Sequence, residues 1–405
     1  MSATARPLDG LKVIEFTHMV MGPAAGLILA DLGADVIKVE PPGGDKTRRL
    51  RGSGAGYFAM YNRNKKSIAI NLKSEAGKAI ALDMLDDADV FIENFRPGAL
   101  DKLGFGYGAL SDRNPRLIYC SEKGFLEGPY QKRTALDEVA QMMGGLAYMT
   151  GPPGRPLRAG ASVIDVTGGM FGAIGVLSAL QARHQTGRGV HVNASLFETT
   201  AFLVGQHIAQ FAVTGTPAPP MPARVSAWAI YDVFEVKGGE SVFVGVVSDG
   251  QWKQFCDAFG LSDWANDPAL AANNDRVAQR DVLIPKVSAL FKTFEKSTLM
   301  AVLEEIGLPY APINKPEDLI VDPHLTAASG MLDMALPEGK SVSLPNLPIS
   351  LDGDRPDLQL NPPLIGEHTA DILASLGFDP GAIRTLVENG TVELGERALA
   401  SQAAE

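Results

Sequence analysis

The sequence predicts an α/β protein: a large domain built on a mostly parallel, doubly wound sheet, plus a smaller α+β domain. Three observations predict it. Short apolar runs alternate with helix-like segments over the first two hundred residues, the pattern of successive βαβ units. A Pro-rich tract, Thr214-Gly-Thr-Pro-Ala-Pro-Pro-Met-Pro-Ala223, then interrupts the alternation and marks a boundary. Beyond it the pattern changes to a hairpin followed by helices. The expected division is 1–215 for the large domain, 224–325 for the small one, and 326–405 as a segment returning to the large domain.

Residues 11–17 read as a buried strand and 22–33 as a helix, with Pro23 suited to its first turn and Gly33 to its end. Residues 34–40 close the first βαβ unit, and its acidic end, Glu40, invites a ribose-binding role. The turn, however, reads Gly22-Pro-Ala-Ala-Gly26 and not Gly-x-Gly-x-x-Gly. Pro23 also lacks a phosphate-binding N–H, which disfavours a dinucleotide site. Residues 67–73 alternate as a strand, and 74–85 form a helix capped by Ser74. The strand at 89–93 runs directly into Asn94-Phe-Arg-Pro-Gly98. Open α/β sheets bind ligands at such carboxyl-end loops. Asn94, Arg96 and the nearby Lys102 would offer donors to phosphate there, although Arg96 also reads as an ordinary exposed loop charge. A strand follows at 116–121, then a Gly/Pro-punctuated loop at 124–133 and a helix at 136–148. Residues 190–195 read as a strand and 196–213 as a long helix.

In the second domain, 230–236 and 241–247 pair as a hairpin about Gly238-Gly239, and helices are expected at 251–259, 276–294 and 298–306. Residues 314–327 read as loop, 341–350 as a Pro-broken strand, and 369–376 as a terminal helix.

Residues 158–180 hold one carboxylate, Asp165, with no further charge until Arg183. Helical spacing places Met170, Ile174, Leu177 and Leu180 on one face. Gly168, Gly169, Gly172 and Gly175 interrupt it, at ~1 kcal/mol each relative to alanine. Such a cost suits a place where another backbone or a ligand approaches closely. Asp165 is expected at or near the N-cap. Two readings stay open: a cap only, or a carboxylate kept ionised by the helix N-terminus and able to act as a nucleophile.

Composition bounds the rest. The 405 residues are 45% hydrophobic and 20% charged, ordinary values for a globular protein. A formal net charge of −11 argues against nucleic acid as a partner. Two cysteines, Cys120 and Cys256, fit a reducing compartment and no disulfide framework. The N-terminus lacks the apolar core of a signal peptide. The uncharged run at 166–182 is short and glycine-rich for a membrane span. A cytoplasmic enzyme with no membrane partner is the expectation. None of the histidines at 18, 184, 191, 207, 324 and 368 forms a zinc-helix pair, so no metal is expected. There is no Gly-x-Ser-x-Gly elbow and no Walker loop.

Five segments in order carry a resemblance: Gly10-Leu-Lys-Val-Ile-Glu-Phe-Thr-His18, Gly33-Ala-Asp-Val-Ile-Lys-Val-Glu40, Glu93-Asn-Phe-Arg-Pro-Gly98, Asp165 with its glycine-studded helix, and Pro362-Pro-Leu-Ile-Gly-Glu-His368. Over nearly its whole length the chain resembles the class III coenzyme A transferases (the CaiB/BaiF group). This group includes formyl-CoA transferase, carnitine CoA-transferase and the α-methylacyl-CoA racemases. The resemblance implies a Rossmann-like large domain, a small domain and an interlocked homodimer. It implies transfer of CoA from an acyl-CoA to a carboxylic acid, with the CoA thioester as substrate and no resident cofactor. Asp165 matches the nucleophile, which would pass through an aspartyl anhydride and an aspartyl-CoA thioester. His18, Val20, Met21, Ile70, Asn71, Leu72, Lys73, Asn94, Phe95, Arg96, Lys102 and Asp137 match positions around CoA.

Two departures bear on substrate. The racemases have a His-Asp pair where this chain reads Leu136-Asp137, and leucine moves no proton. The formyl-CoA enzymes have a glutamine where Val20 stands, and a glycine-rich loop where this chain reads Arg224-Val-Ser-Ala-Trp-Ala-Ile. Formate/oxalate specificity is therefore disfavoured, and a C4–C5 dicarboxylate held by Arg224 or Arg155 is the expected acceptor. A 2-methylacyl-CoA racemase and a non-catalytic acyl-CoA-binding protein are the alternatives.

Overall fold

Twelve strands run through the computed structural model, which describes residues 6–224, 226–336 and 339–395. They are β1 (Lys12–Phe16), β2 (Asp35–Glu40), β3 (Lys65–Ile70), β4 (Val90–Glu93), β5 (Ile118–Lys123), β6 (His191–Ser195), β7 (Tyr231–Glu235), β8 (Ser241–Gly245), β9 (Tyr310–Pro312), β10 (Met331–Ala335), β11 (Ser341–Pro345) and β12 (Val392–Glu393). The chain divides into two compact units, Met1–Pro222 with Pro323–Glu405, and Ala223–Asp322.

The larger unit holds a seven-stranded sheet in the order β12-β3-β2-β1-β4-β5-β6. Every neighbouring pair in it is parallel except β12 with β3. Both faces are covered, which is why these strands read as apolar runs and not as alternations. On one face Phe16, Phe91 and Tyr119 join Ile80, Met84 and Leu85 of the helix Glu75–Asp86. On the other, Val13, Ile92 and Cys120 meet Ala25 and Leu29 of the helix Met21–Asp31 and Ala173 and Val176 of the helix Val163–Thr186. Each such Ile, Leu or Phe stabilises the fold by roughly 1.5–3 kcal/mol on burial.

Three buried ion pairs lie in or against the sheet. Asp31 meets Arg63 at 2.7 Å, Glu15 meets Lys65 at 2.9 Å, and Lys38 lies 3.2 Å from Asp45. Burial lowers the Lys65 amine to about 8 even so. Glu40 is buried and bound by Arg48 at 2.6 Å and by the Ser67 hydroxyl at 2.6 Å. It holds the sheet together and offers nothing to a ribose.

Several expected elements are divided differently. The helix expected over 136–148 is two, Asp137–Met143 and Leu146–Thr150, because Gly145 adopts φ 86° between them. The one expected over 196–213 breaks at Val204 into Leu196–Leu203 and Gly205–Thr214. Residues 314–327, expected as loop, contain the 3-10 turn Pro316–Val321 and the short helix Pro323–Ala327. In the smaller unit β7 and β8 form the hairpin about Gly238-Gly239, and β9 adds a third antiparallel strand.

Candidate active site

Asp165 is the third residue of the helix Val163–Thr186, not its cap. Ser162 occupies the N-cap position without a side-chain capping bond. A different carboxylate does that work. Asp137, which opens the helix Asp137–Met143, accepts through Oδ2 from the N–H groups of Ile164 at 2.8 Å and Asp165 at 3.2 Å. Its Oδ1 accepts from Gln141 Nε2 at 2.6 Å and lies 3.2 Å from Arg158 Nη2. Grouped by the resemblance with positions around CoA, Asp137 has both oxygens engaged by the protein itself.

The Asp165 carboxyl is half-buried, and its oxygens accept no hydrogen bond among the described residues. Burial, and then the charge of Asp137, push its pKa up to about 7, while Arg158 opposes the rise. Two of the N–H groups at this helix start already serve Asp137, and desolvation weighs against the help that the helix end gives to an ionised Asp165.

The glycines have a definite task. A Cβ on Gly168 would stand 2.7 Å from Met21 Cε, and one on Gly169 would stand 2.6 Å from the Met21 carbonyl oxygen. A Cβ on Gly172 would strike Glu122 Oε1, and one on Gly175 would meet Val192 Cγ1 at 2.5 Å. The missing side chains let the helix Met21–Asp31 and the sheet approach the Asp165 helix. By length and composition that helix is apolar enough to cross a bilayer. Its Gly168, Gly169, Ala173 and Val176 face is nevertheless buried in the unit, leaving Met170, Ile174 and Leu177 exposed.

Four neighbours escaped sequence reasoning. Tyr57 Oη lies 3.3 Å from Ser162 Oγ. Tyr61, one helical turn along in Tyr57–Tyr61, has its phenol pushed up to about 12 by burial and the charge of Asp165. The aromatic i,i+4 spacing was the available signal. Gln141 accepts from the Ala159 N–H at 2.8 Å, fixing the approach to the helix. Glu122 is fully buried on β5, both its oxygens lack a hydrogen-bond partner, and burial pushes it up to about 8. Its signal was a charge at the end of an apolar strand.

The positions matched to CoA gather along the carboxyl edge of the sheet. The His18 N–H donates to Asn94 Oδ1 at 3.0 Å, and Asn94 Nδ2 returns a bond to the His18 carbonyl at 2.8 Å. The Phe95 ring meets His18 edge-on at 5.6 Å. Val20 and Met21 are buried beside the Asp165 helix, with the Met21 carbonyl and thioether against Gly169 and Gly168. Ile70 ends β3, Asn71 Oδ1 accepts from the Lys73 N–H at 3.1 Å, and Leu72 joins Phe95 and Leu103 on one apolar cluster. Lys73, Arg96 and Lys102 are exposed, and their charged ends make no hydrogen bond or ion pair among the described residues. Arg96 also lines a cavity of about 620 Å³ at the ends of β4, β5 and β6, with Glu93, Ser121, Lys123 and His191. Of the two arginines expected at the acceptor, Arg155 lies on an exposed loop and Arg224 belongs to the smaller unit. Val225, in the stretch that replaces a glycine-rich loop, lies outside the described residues.

Residues 8–369 match the family described as CoA-transferase family III. The chain belongs to that family. It is 38% identical to an acetyl-CoA:oxalate CoA-transferase of Acetobacter aceti, over 90% of this chain and 94% of that one. It is 32% identical to the succinyl-CoA:glutarate CoA-transferase of Homo sapiens, over 96% and 91%. A crystal structure of a CaiB/BaiF family protein from Brucella suis superposes with a TM-score of 0.82 at 35% identity, covering 92% of this chain and all of that one. The present chain is accordingly a CoA-transferase, moving CoA from an acyl-CoA to a carboxylic acid.

Proposed function

We propose that Asp165 is the nucleophile of this transferase. One observation carries the reading: a half-buried carboxylate, free of hydrogen bonds to its oxygens among the described residues, stands in the first turn of a helix whose next turns are glycine. A carboxylate so desolvated is more basic than one in water and a stronger nucleophile. One Asp165 oxygen attacks the thioester carbonyl carbon. The C–S bond breaks, and CoA leaves as thiolate from a mixed anhydride. The thiolate then attacks the aspartyl carbonyl carbon, releasing the donor acid and leaving an aspartyl-CoA thioester. The acceptor carboxylate reverses both steps and regenerates Asp165. No proton has to move, and the thioester's energy is kept. The Tyr57 phenol beside Ser162 and the Tyr61 phenol, which feels the Asp165 charge, are neutral donors for the charge that develops.

Lys73, Arg96 and Lys102 hold the CoA phosphates, and His18, Val20, Met21, Ile70, Asn71, Leu72, Asn94 and Phe95 line its path. Asp137 serves the site by position. The enzyme uses CoA only as substrate. The acceptor is a small dicarboxylic acid, as the names of the oxalate and glutarate relatives suggest. A C4–C5 diacid remains the preferred length, and the oxalate relative keeps shorter diacids in range. Racemisation is disfavoured because Leu136 is exposed and without a proton to give. Buried free thiols at Cys120 and Cys256 suit a cytoplasmic setting. The test is Asp165→Asn: CoA exchange should fall by roughly a thousandfold or more while acyl-CoA still binds. Exchange at the wild-type rate in this variant would sink the assignment.

A further inference from the structure

Arg158 stands at the centre of the Asp165 site without a role in the chemistry described so far. Three of its contacts pin the guanidinium. Nε donates to the Ala159 carbonyl at 3.2 Å, Nη2 donates to the Ala161 carbonyl at 3.2 Å, and Nη2 also lies 3.2 Å from Asp137 Oδ1. Nη1 donates to nothing among the described residues, and its nearest acid is Glu138 at 4.0 Å. The side chain keeps 35% of its surface exposed. A fixed planar cation with one open edge is a carboxylate receptor, because the fork is already oriented before the ligand arrives. Arg158 is also the cation whose charge is felt at Asp165.

We infer that Arg158 seats the carboxylate of the acceptor acid beside Asp165; this rests on Asp165 being the nucleophile. Charge balance gives the site its timing. Arg158 lies 3.2 Å from Asp137 and 4.0 Å from Glu138, and its charge is felt at Asp165. Conversion of Asp165 to its CoA thioester removes one negative charge from this cluster. An incoming carboxylate takes the place of that charge. The acceptor therefore binds the charged intermediate better than the resting enzyme, where it would meet Asp165 itself. Once seated, an acceptor oxygen attacks the aspartyl thioester carbon. A C–O bond forms, the C–S bond breaks and CoA leaves as thiolate. The thiolate then attacks the acceptor's acyl carbon, and the anhydride C–O bond on that side breaks to return Asp165 as carboxylate. The dicarboxylate expectation changes accordingly: the cation beside the reacting centre is Arg158, whereas Arg155 stands on an exposed loop.

The experiment separates the two half-reactions in the full-length enzyme. Arg158→Gln and Arg158→Lys are compared with wild type, using an acyl-CoA donor and a panel of acetate, oxalate, succinate and glutarate. The first readout is the rate of donor-acid release in the presence of hydroxylamine without acceptor, which reports Asp165 acylation alone. The second is acceptor KM in the full exchange. Loss of a charge-assisted contact predicts that KM for the preferred acceptor rises about tenfold to a hundredfold in Arg158→Gln. Arg158→Lys should recover part of that loss, whereas KM for the acyl-CoA donor, whose reacting carbon bears no carboxylate, should change by no more than about threefold. Should Arg158→Gln fail to fold, the Lys variant carries the test alone, with a smaller rise in acceptor KM and the same unaffected donor KM. Equal rises in donor and acceptor KM would mean that Arg158 only props up Asp137, and would overturn the inference. So would an unchanged acceptor KM. A wild-type enzyme that exchanges CoA with no donor release into hydroxylamine would overturn the nucleophile reading on which the inference stands.

Discussion

At the scale of single residues, the site is defined by carboxyl groups held where charge is costly. Asp165 is lifted to about 7, first by burial and second by Asp137, with Arg158 pulling the other way. Attack needs the ionised form. The acylation rate should therefore climb about tenfold per pH unit below 7 and level off above it, in a pH profile of the donor half-reaction. The same shift has a stability consequence. A carboxyl whose folded pKa is raised costs the fold nothing below its unfolded pKa near 4, and the full penalty above its folded value. Stability should thus fall as pH rises from about 4 to 7, and Asp165→Asn should melt above wild type at pH 8 with little advantage at pH 4. Glu122 obeys the same sign over a window reaching about 8. Glu122→Gln should flatten the remaining decline in melting temperature between neutral pH and 8. A melting curve that rises with pH through this window would show that these two acids are ionised and well solvated in the fold.

At the scale of elements, two helices are joined through absent side chains. Gly169 faces the Met21 carbonyl, which belongs to backbone and cannot swing aside, whereas Gly172 faces the tip of Glu122. Gly169→Ala should destabilise by about 1–3 kcal/mol despite its better helix propensity. Gly172→Ala should cost less, since a side-chain tip can rotate away; chemical denaturation measures both. Asp137 couples a second pair of elements. Asp137→Asn keeps an acceptor for the Ile164 and Asp165 N–H groups but removes the charge beside Asp165. Its pH profile should shift toward acid. The helix start, the apolar strands and the glycine spacing were legible in the sequence because each is local. The true cap was not, since Asp137 reaches the Asp165 N–H from twenty-eight residues upstream through the fold. The splits at Gly145 and Val204 were missed because the residues on either side keep helical composition.

At the scale of the molecule, the order of the seven-stranded sheet brings the loops after β1 and β4 side by side, and with them His18, Asn94 and Phe95. Neither periodicity nor composition carries that adjacency; the resemblance to a known family did. Exposed apolar residues mark what a single chain leaves uncovered. Met170, Ile174 and Leu177 on the Asp165 helix, and Phe202, Ile208, Phe211 and Val213 on the following helices, all face outward. Exposed apolar surface of this kind suits an interface, so a homodimer is the proposed assembly. Sedimentation of wild type should show a dimer, and Ile174→Glu with Phe202→Glu should shift it toward monomer with loss of activity. A monodisperse, fully active wild-type monomer would refute the assembly.

The central claim is that CoA passes through Asp165. Its most direct measurement is to mix enzyme with acyl-CoA and no acceptor, quench with hydroxylamine or borohydride, digest, and weigh the peptide that spans Asp165. A modification confined to that residue, formed at least as fast as overall exchange and absent in Asp165→Asn, is the predicted result. Exchange proceeding at full rate with the Asp165 peptide unmodified would contradict the account.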